Sequence, residues 1–213
     1  MNIHKIGHCC LRIDVGEVRI LTDPGNFSDG QNSIEHINAV IITHEHPDHC
    51  HVPSLQQIML NNPDVVVYAN ESTGKILETE GIEYTLIGEG SMFDVAGVSI
   101  QTWNCDHADV YDDITPVLNT ALFINGQLLY PGDAYFVPGV AVDTMAVPVE
   151  GPWVKTREAI EYALTVKPRA VFPVHDARLD PAMGEARYAH HKRVLENNGI
   201  IWHGIETGEE IEI

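Results

Sequence analysis

Positive charge is scarce in this chain. Lys and Arg total 12 against 31 Asp and Glu, a formal charge of −19 at pH 7. Proteins that grip nucleic-acid phosphates need a basic footprint. No Lys/Arg cluster exists here, so no nucleic-acid partner is expected, and a nuclease acting on long polymers is disfavoured. Long apolar runs are missing too. Nothing approaches the roughly 20 residues that span a bilayer, so no membrane partner is expected. The opening residues, MNIHKIGHCCLRIDVG, lack the apolar stretch and small-residue cleavage site of a secretory signal. A cytoplasmic location is therefore the expectation. The four cysteines, Cys9, Cys10, Cys50 and Cys105, form no CxxC pair. They read as small buried thiols rather than a disulfide framework. Cys9 and Cys10 are adjacent and so point to opposite faces of a strand. No repeat of short period interrupts the chain.

What is present is enough apolar material for one domain. With 213 residues and 44% hydrophobic content, a single core spanning residues 1–213 is expected. Short β-branched or alternating runs predict strands over 2–6, 10–15, 17–22, 39–42, 65–69, 82–86, 91–95, 98–103, 120–124, 127–130, 141–147, 170–174, 200–202 and 210–213. Asn125-Gly126 marks a two-residue hairpin turn. Helices are predicted from Pro53 to a stop at 61–63, and over 72–80, 156–165 and 181–197. Strand-rich stretches with helices occur twice over. That pattern predicts an α/β (α+β) chain of two packed sheets with helices outside.

The chemistry lies where strands end. Residues 38–51 read NAVIITHEHPDHCH: a buried strand running into His44, His46, Asp48 and His49. Later apolar runs end at His107, at Pro131-Gly132-Asp133 and at His175-Asp176. Imidazoles with carboxylates suit zinc first, with manganese or iron as alternatives, more than calcium or magnesium. The spacing allows two ions. His44, His46 and His107 would hold one, and Asp48, His49 and His175 the other, with Asp133 bridging them. Asp23, at the end of the third strand, either caps a turn or orients a metal-bound histidine. Asp176 either orients His175 or caps a turn. Of His190 and His191, only one can face inward.

THEHPDH, followed by a strand-end His, a Gly-Asp and a late strand-end His, resembles the metallo-β-lactamase-fold hydrolase superfamily. Gly7-His8, Leu21-Thr22-Asp23-Pro24-Gly25, Pro131-Gly132-Asp133 and Pro173-Val174-His175 are most similar to its ascorbate-6-phosphate lactonase-like branch. The resemblance implies a four-layer αββα sandwich with a dinuclear site on one edge. It implies a hydrolase whose water is activated by two divalent ions, acting on a small-molecule ester, lactone or phosphoester. It places His8 near the metals, with Asp48 or His8 moving a proton to the leaving group. The stretch CDHADVYDD around His107 departs from that branch. Its Asp106, Asp109, Asp112 and Asp113 either solvate a loop or disfavour anionic substrates. The chain shows neither the extra domain of RNA-cleaving members nor an appended flavodoxin-like domain. The alternative reading is a metal-binding sensor or scaffold of the same fold without hydrolytic activity. The loops at 26–36, 106–116 and 148–155 would choose the substrate. A homo-oligomer is left open.

Overall fold

A computed structural model describes residues 1–112, 114 and 116–213. Asp113 lies outside the described residues. The first half opens with a meander of β1 (Asn2–Gly7), β2 (Cys10–Val15) and β3 (Val18–Thr22). Then come β4 (Ala39–Ile42), α1 (Val52–Asn61), β5 (Val66–Ala69), α2 (Glu71–Thr79) and β6 (Thr85–Leu86). The second half repeats the plan. Its antiparallel strands are β7 (Met92–Val95), β8 (Val98–Asp106), β9 (Leu118–Ile124) and β10 (Leu128–Tyr130). β11 (Thr144–Pro148), α3 (Thr156–Val166), β12 (Ala170–Val174), α4 (Ala189–Asn197), β13 (Ile201–Trp202) and β14 (Glu210–Glu212) follow.

Each sheet has seven strands. One runs β14-β1-β2-β3-β4-β5-β6 and the other β13-β12-β11-β10-β9-β8-β7. In both, an antiparallel meander meets parallel strands joined by helical crossovers. The C-terminal strand β14 returns to pair with β1, closing the chain onto its own start.

The core separates into three layers of contact. Ile3, Ile13, Ile20 and Ile41 from one sheet meet Ile100, Leu122, Ile124 and Phe172 from the other. Behind the first sheet, Val40, Ile42 and Val67 receive Leu55, Ile58 and Leu77 from α1 and α2. Behind the second, Met145, Val147 and Val171 receive Ala159, Ile160, Ala163 and Leu195 from α3 and α4. This is an αββα sandwich. Strands buried on both faces read as continuous apolar runs, because each must satisfy two cores. Cys9 lies in the inter-sheet core and Cys10 in the outer one, on opposite faces as adjacency dictates.

Two expectations change. The helix read over 181–197 is a 3-10 segment (Pro181–Tyr188) followed by α4, because Gly184 adopts φ 51°, ψ −142° and breaks the ladder. The strand read over 82–86 shrinks to β6, two residues at a sheet edge with only one neighbour. Among the described residues, no helix is long and apolar enough to cross a membrane.

Candidate metal centre

Four strand ends converge on one edge of the sandwich. β4 stops at Ile42 and feeds the 43–49 loop; β8 ends beside His107; β10 precedes Asp133; β12 ends beside His175. Three residues of this edge adopt left-handed backbone directly after a strand: His8 at φ 52°, Asp23 at φ 41° and His175 at φ 59°. Such geometry costs a non-glycine residue on the order of 1 kcal/mol and persists where its surroundings over-determine it. Gly25 permits the closest approach. A Cβ there would fall 1.8 Å from the Asp48 carbonyl oxygen. Gly132, at φ +62°, lets the chain turn into Asp133 with Asn119 against it.

Asp133 is the hub. Its Oδ2 lies 3.0 Å from His175 Nε2, 3.3 Å from His107 Nε2 and 3.8 Å from His44 Nε2. Its Oδ1 lies 3.2 Å from His49 Nε2. His44 Nε2 is 3.1 Å from His46 Nδ1. The ligand atoms of His44, His46, His107 and Asp133 fall within 4.8 Å of one another, so the three histidines grouped by sequence lie together with Asp133. A second set within the same limit joins His49 and His175 to His8 and Cys9. Asp48 is not in that set, although its Oδ2 lies 3.5 Å from His175 Nε2 and 3.3 Å from His8 Nε2. Cys9 carried no sequence signal as a site residue; the Gly7-His8-Cys9 turn brings it there.

Hydrogen bonds aim the imidazoles. Asp23 is fully buried. Its Oδ1 accepts from the Thr43 backbone N–H at 2.8 Å, and its Oδ2 from the Thr43 and Tyr130 hydroxyls and His49 Nδ1, each at 2.7 Å. With its Nδ1 proton held by Asp23, a neutral His49 presents a bare Nε2. The Thr43 hydroxyl, having given its proton to Asp23, accepts from His44 Nδ1 at 3.0 Å. His107 Nδ1 donates to the Ala108 carbonyl at 2.7 Å. Each of the three rings thus offers Nε2. Tyr130 and Thr43 were not singled out by sequence. Asp176 bonds neither to His175 nor into a side-chain cap; it accepts from Lys5 Nζ at 2.6 Å and from the Tyr188 hydroxyl.

Burial and the central carboxylate pull the imidazoles in opposite directions. Burial pushes the His44 and His46 rings toward the neutral form. Burial would also lower His49 and His175, but Asp133 overrides it and lifts His49 far above the ordinary range and His175 to about 11. Burial likewise opposes ionisation of Asp133, yet the His49 and His175 charges hold it well below the usual carboxylate value. Among the described residues, His49 Nε2 and Asp133 Oδ1 are buried and, though 3.2 Å apart, make no well-formed hydrogen bond. A buried carboxylate ringed by imidazole nitrogens suits a divalent cation, which would take the place of the protons on His49 and His175.

Above the cluster opens a cleft of about 360 Å³. Asn26 and Phe27, Val110, and Pro152 and Trp153 line it, one contribution from each of the three loops named above. The Trp153 ring stands edge-on to His107 and His175, at 5.5 and 5.7 Å between centroids. Arg178 reaches the rim and is paired with Glu150 at 3.2 Å.

An αββα sandwich with a histidine and aspartate cluster at one edge defines the metallo-β-lactamase-fold class. The chain belongs to that superfamily: the β-lactamase superfamily domain matches residues 2–175. It is 34% identical over 202 residues to protein Rv0786c of Mycobacterium tuberculosis, covering 92% of each chain. It is 24% identical over 183 residues to a UPF0173 metal-dependent hydrolase of Thermoplasma acidophilum, covering 79% of this chain and 80% of that one. Among solved structures, Igni18, a metallo hydrolase of Ignicoccus hospitalis, superposes with a TM-score of 0.75 at 21% identity, covering 99% of this chain and 97% of that one.

Proposed function

We propose that this protein is a metal-dependent hydrolase of a small, uncharged ester or lactone, working with two divalent cations. The observation that carries the reading is the position of Asp133 between the two imidazole sets, with Oδ2 against His44, His107 and His175 and Oδ1 against His49. His44, His46 and His107 would hold one ion. His49 and His175, with Asp48 beside them, would hold the other, and Asp133 would bridge. Nitrogen and oxygen donors of this kind favour zinc, with manganese and iron as the alternatives. Bound there, the cations would activate water and polarise the scissile group. Asp23 fixes the orientation of His49. Asp48, which lines the cleft, and the buried His8 hydrogen-bonded to it form the pair that moves a proton toward the leaving group.

The cleft supports the substrate class. Its walls are Phe27, Pro47, Val110, Pro152 and Trp153, a surface suited to an apolar group. Arg178, on its rim, is already committed to Glu150. Asp106, Asp109 and Asp112 lie exposed around His107 and repel anions. This favours an uncharged ester or lactone over a phosphoester.

Metal analysis of the purified protein, followed by a screen of matched lactones, aryl esters and phosphodiesters, tests the reading. About two ions per chain and hydrolysis of the neutral compounds are expected, with Asp133→Ala losing both. Fewer than one tightly held ion, with no hydrolysis after zinc, manganese or iron is supplied, overturns it. Two ions with no hydrolysis would favour the sensor or scaffold alternative.

A further inference from the structure

Lys5 is a charged residue where the strand pattern calls for an apolar one. It sits two residues after Ile3 on β1, on the same face, and is fully buried. Its Nζ lies 2.6 Å from Asp176 Oδ2, 2.9 Å from the Pro173 carbonyl and 3.5 Å from the Ile205 carbonyl. The Tyr188 hydroxyl donates to the same Asp176 oxygen. The residue after His175 is therefore anchored to the opposite sheet. The next residue, Ala177, donates its backbone N–H to His8 Nδ1 at 3.2 Å. The His175 N–H donates to the His8 carbonyl at 3.3 Å.

An amide N–H can only donate. His8 Nδ1 must then be an acceptor without a proton, and a neutral His8 carries its proton on Nε2. That atom lies 3.3 Å from Asp48 Oδ2, which can only accept when ionised. A protonated Nε2 has no lone pair to give a cation. We propose that the buried Lys5–Asp176–Tyr188 cluster is a positioning device that holds the Ala177 N–H on His8 Nδ1. It thereby fixes His8 as a hydrogen-bond donor to Asp48, not a metal ligand, although His8 lies among Cys9, His49 and His175. Lys5 and Asp176 are positioning residues acting through Ala177. The inference rests on the hydrolase reading only for its effect on rate; the state of the His8 ring is independent of it.

The test reads that ring directly, by 15N-detected imidazole spectra of the whole chain before and after saturation with zinc alone. His8 is expected to show an unprotonated Nδ1 and a protonated Nε2 in both states. A His8 Nε2 signal moved to the metal-bound position overturns the proposal, whatever the variants do. The variant pair is Lys5→Met with Asp176→Asn, which removes both buried charges together and avoids stranding one. It is expected to fold, bind zinc with unchanged stoichiometry and show His8 averaging between tautomers. On a hydrolysed ester its kcat should fall roughly 10- to 100-fold, as for loss of an orienting partner, with KM within about twofold. A folded double variant that keeps the Nε2–H spectrum and wild-type kcat also overturns the proposal. Tyr188→Phe, which removes one hydroxyl, should move both readouts the same way by a smaller step. If wild-type protein hydrolyses nothing, the hydrolase reading fails while the ring spectra still decide this one.

Discussion

Replacing Asp23 by Asn changes almost no volume, yet it should unhook one metal position. The carboxylate takes four hydrogen bonds, three of them on Oδ2. Asn keeps an acceptor for the Thr43 N–H but places an NH2 donor where Oδ2 was. The Thr43 and Tyr130 hydroxyls can rotate to accept. His49 can comply only by moving its proton from Nδ1 to Nε2, and Nε2 is the atom aimed at Asp133. Loss of such an orienting carboxylate typically weakens a metal site about 10- to 100-fold, roughly 1.4 to 2.7 kcal/mol. The other site, through His44, His46 and His107, keeps its ligands. Tight zinc should therefore drop from two equivalents to one, measured by competition with a chromophoric chelator. The metal-free fold should lose about 1.5 to 3 kcal/mol, the worth of a hydrogen bond to a charged group, read from urea midpoints. An Asp23→Asn protein that binds both zincs within twofold of wild-type affinity refutes the orientation argument.

Three further outcomes follow from other parts of the molecule. Gly25→Ala would drive a Cβ into the Asp48 backbone, so the ligand loop must shift; kcat/KM should fall roughly 100-fold, as for a misplacement of about 1 Å. Wild-type rates in a folded Gly25→Ala protein would show that the contact does not position the loop. His191 is buried, stacks on Trp202 and has no partner at either ring nitrogen among the described residues, and burial lowers its pKa to about 4 from an ordinary 6.5. Because the folded value is the lower one, the unfolded chain binds the proton first. Stability is full above pH 6.5, falls as pH drops toward 4 and then levels, a loss of about 3 kcal/mol; His191→Phe should remove that part of the slope in urea titrations at pH 7 and 4.5. Zinc must displace the proton that Asp133 keeps on His175 at neutral pH, so binding should release protons and tighten as pH rises. Calorimetry in two buffers of different ionisation enthalpy measures the release, and identical heats would contradict it.

Much of the candidate site was legible because its histidines follow apolar runs. His44 after Ile42, His107 after β8 and His175 after Val174 each mark where a buried strand reaches the sheet edge, and the sequence shows both the run and its end. The sheets themselves were less so. Nothing local says that β14 returns to β1, or that Tyr130 meets Asp23 across 107 positions. Gly184 sits in a segment rich in helix formers, and its left-handed backbone is set by tertiary context rather than by propensity. Lys5 did leave a trace: in NIHKIG it alternates in step with Ile3, so a buried face had to accept an ammonium. Read as a strand and no more, that trace passes unnoticed. Cys9 left none.

The buried acids show why those two levels must be read together. Asp23, Asp133 and Asp176 all lie inside a chain whose surface is already strongly acidic. A carboxylate in a poorly polarisable interior persists only if matched. Asp176 is matched by Lys5 and Asp23 by an imidazole, two hydroxyls and an amide. Asp133 faces only the imidazoles of His44, His49, His107 and His175 among the described residues, and a proton on His49 or His175 is a counter-charge that can leave. A partner that can leave marks a place where another cation can enter. Structural carboxylates in this protein are tied to groups that cannot depart, whereas the exchangeable one stands at the cleft floor between two sets of imidazoles. The distinction between scaffold and reactive centre is thus written in which counter-charge is fixed and which is on loan.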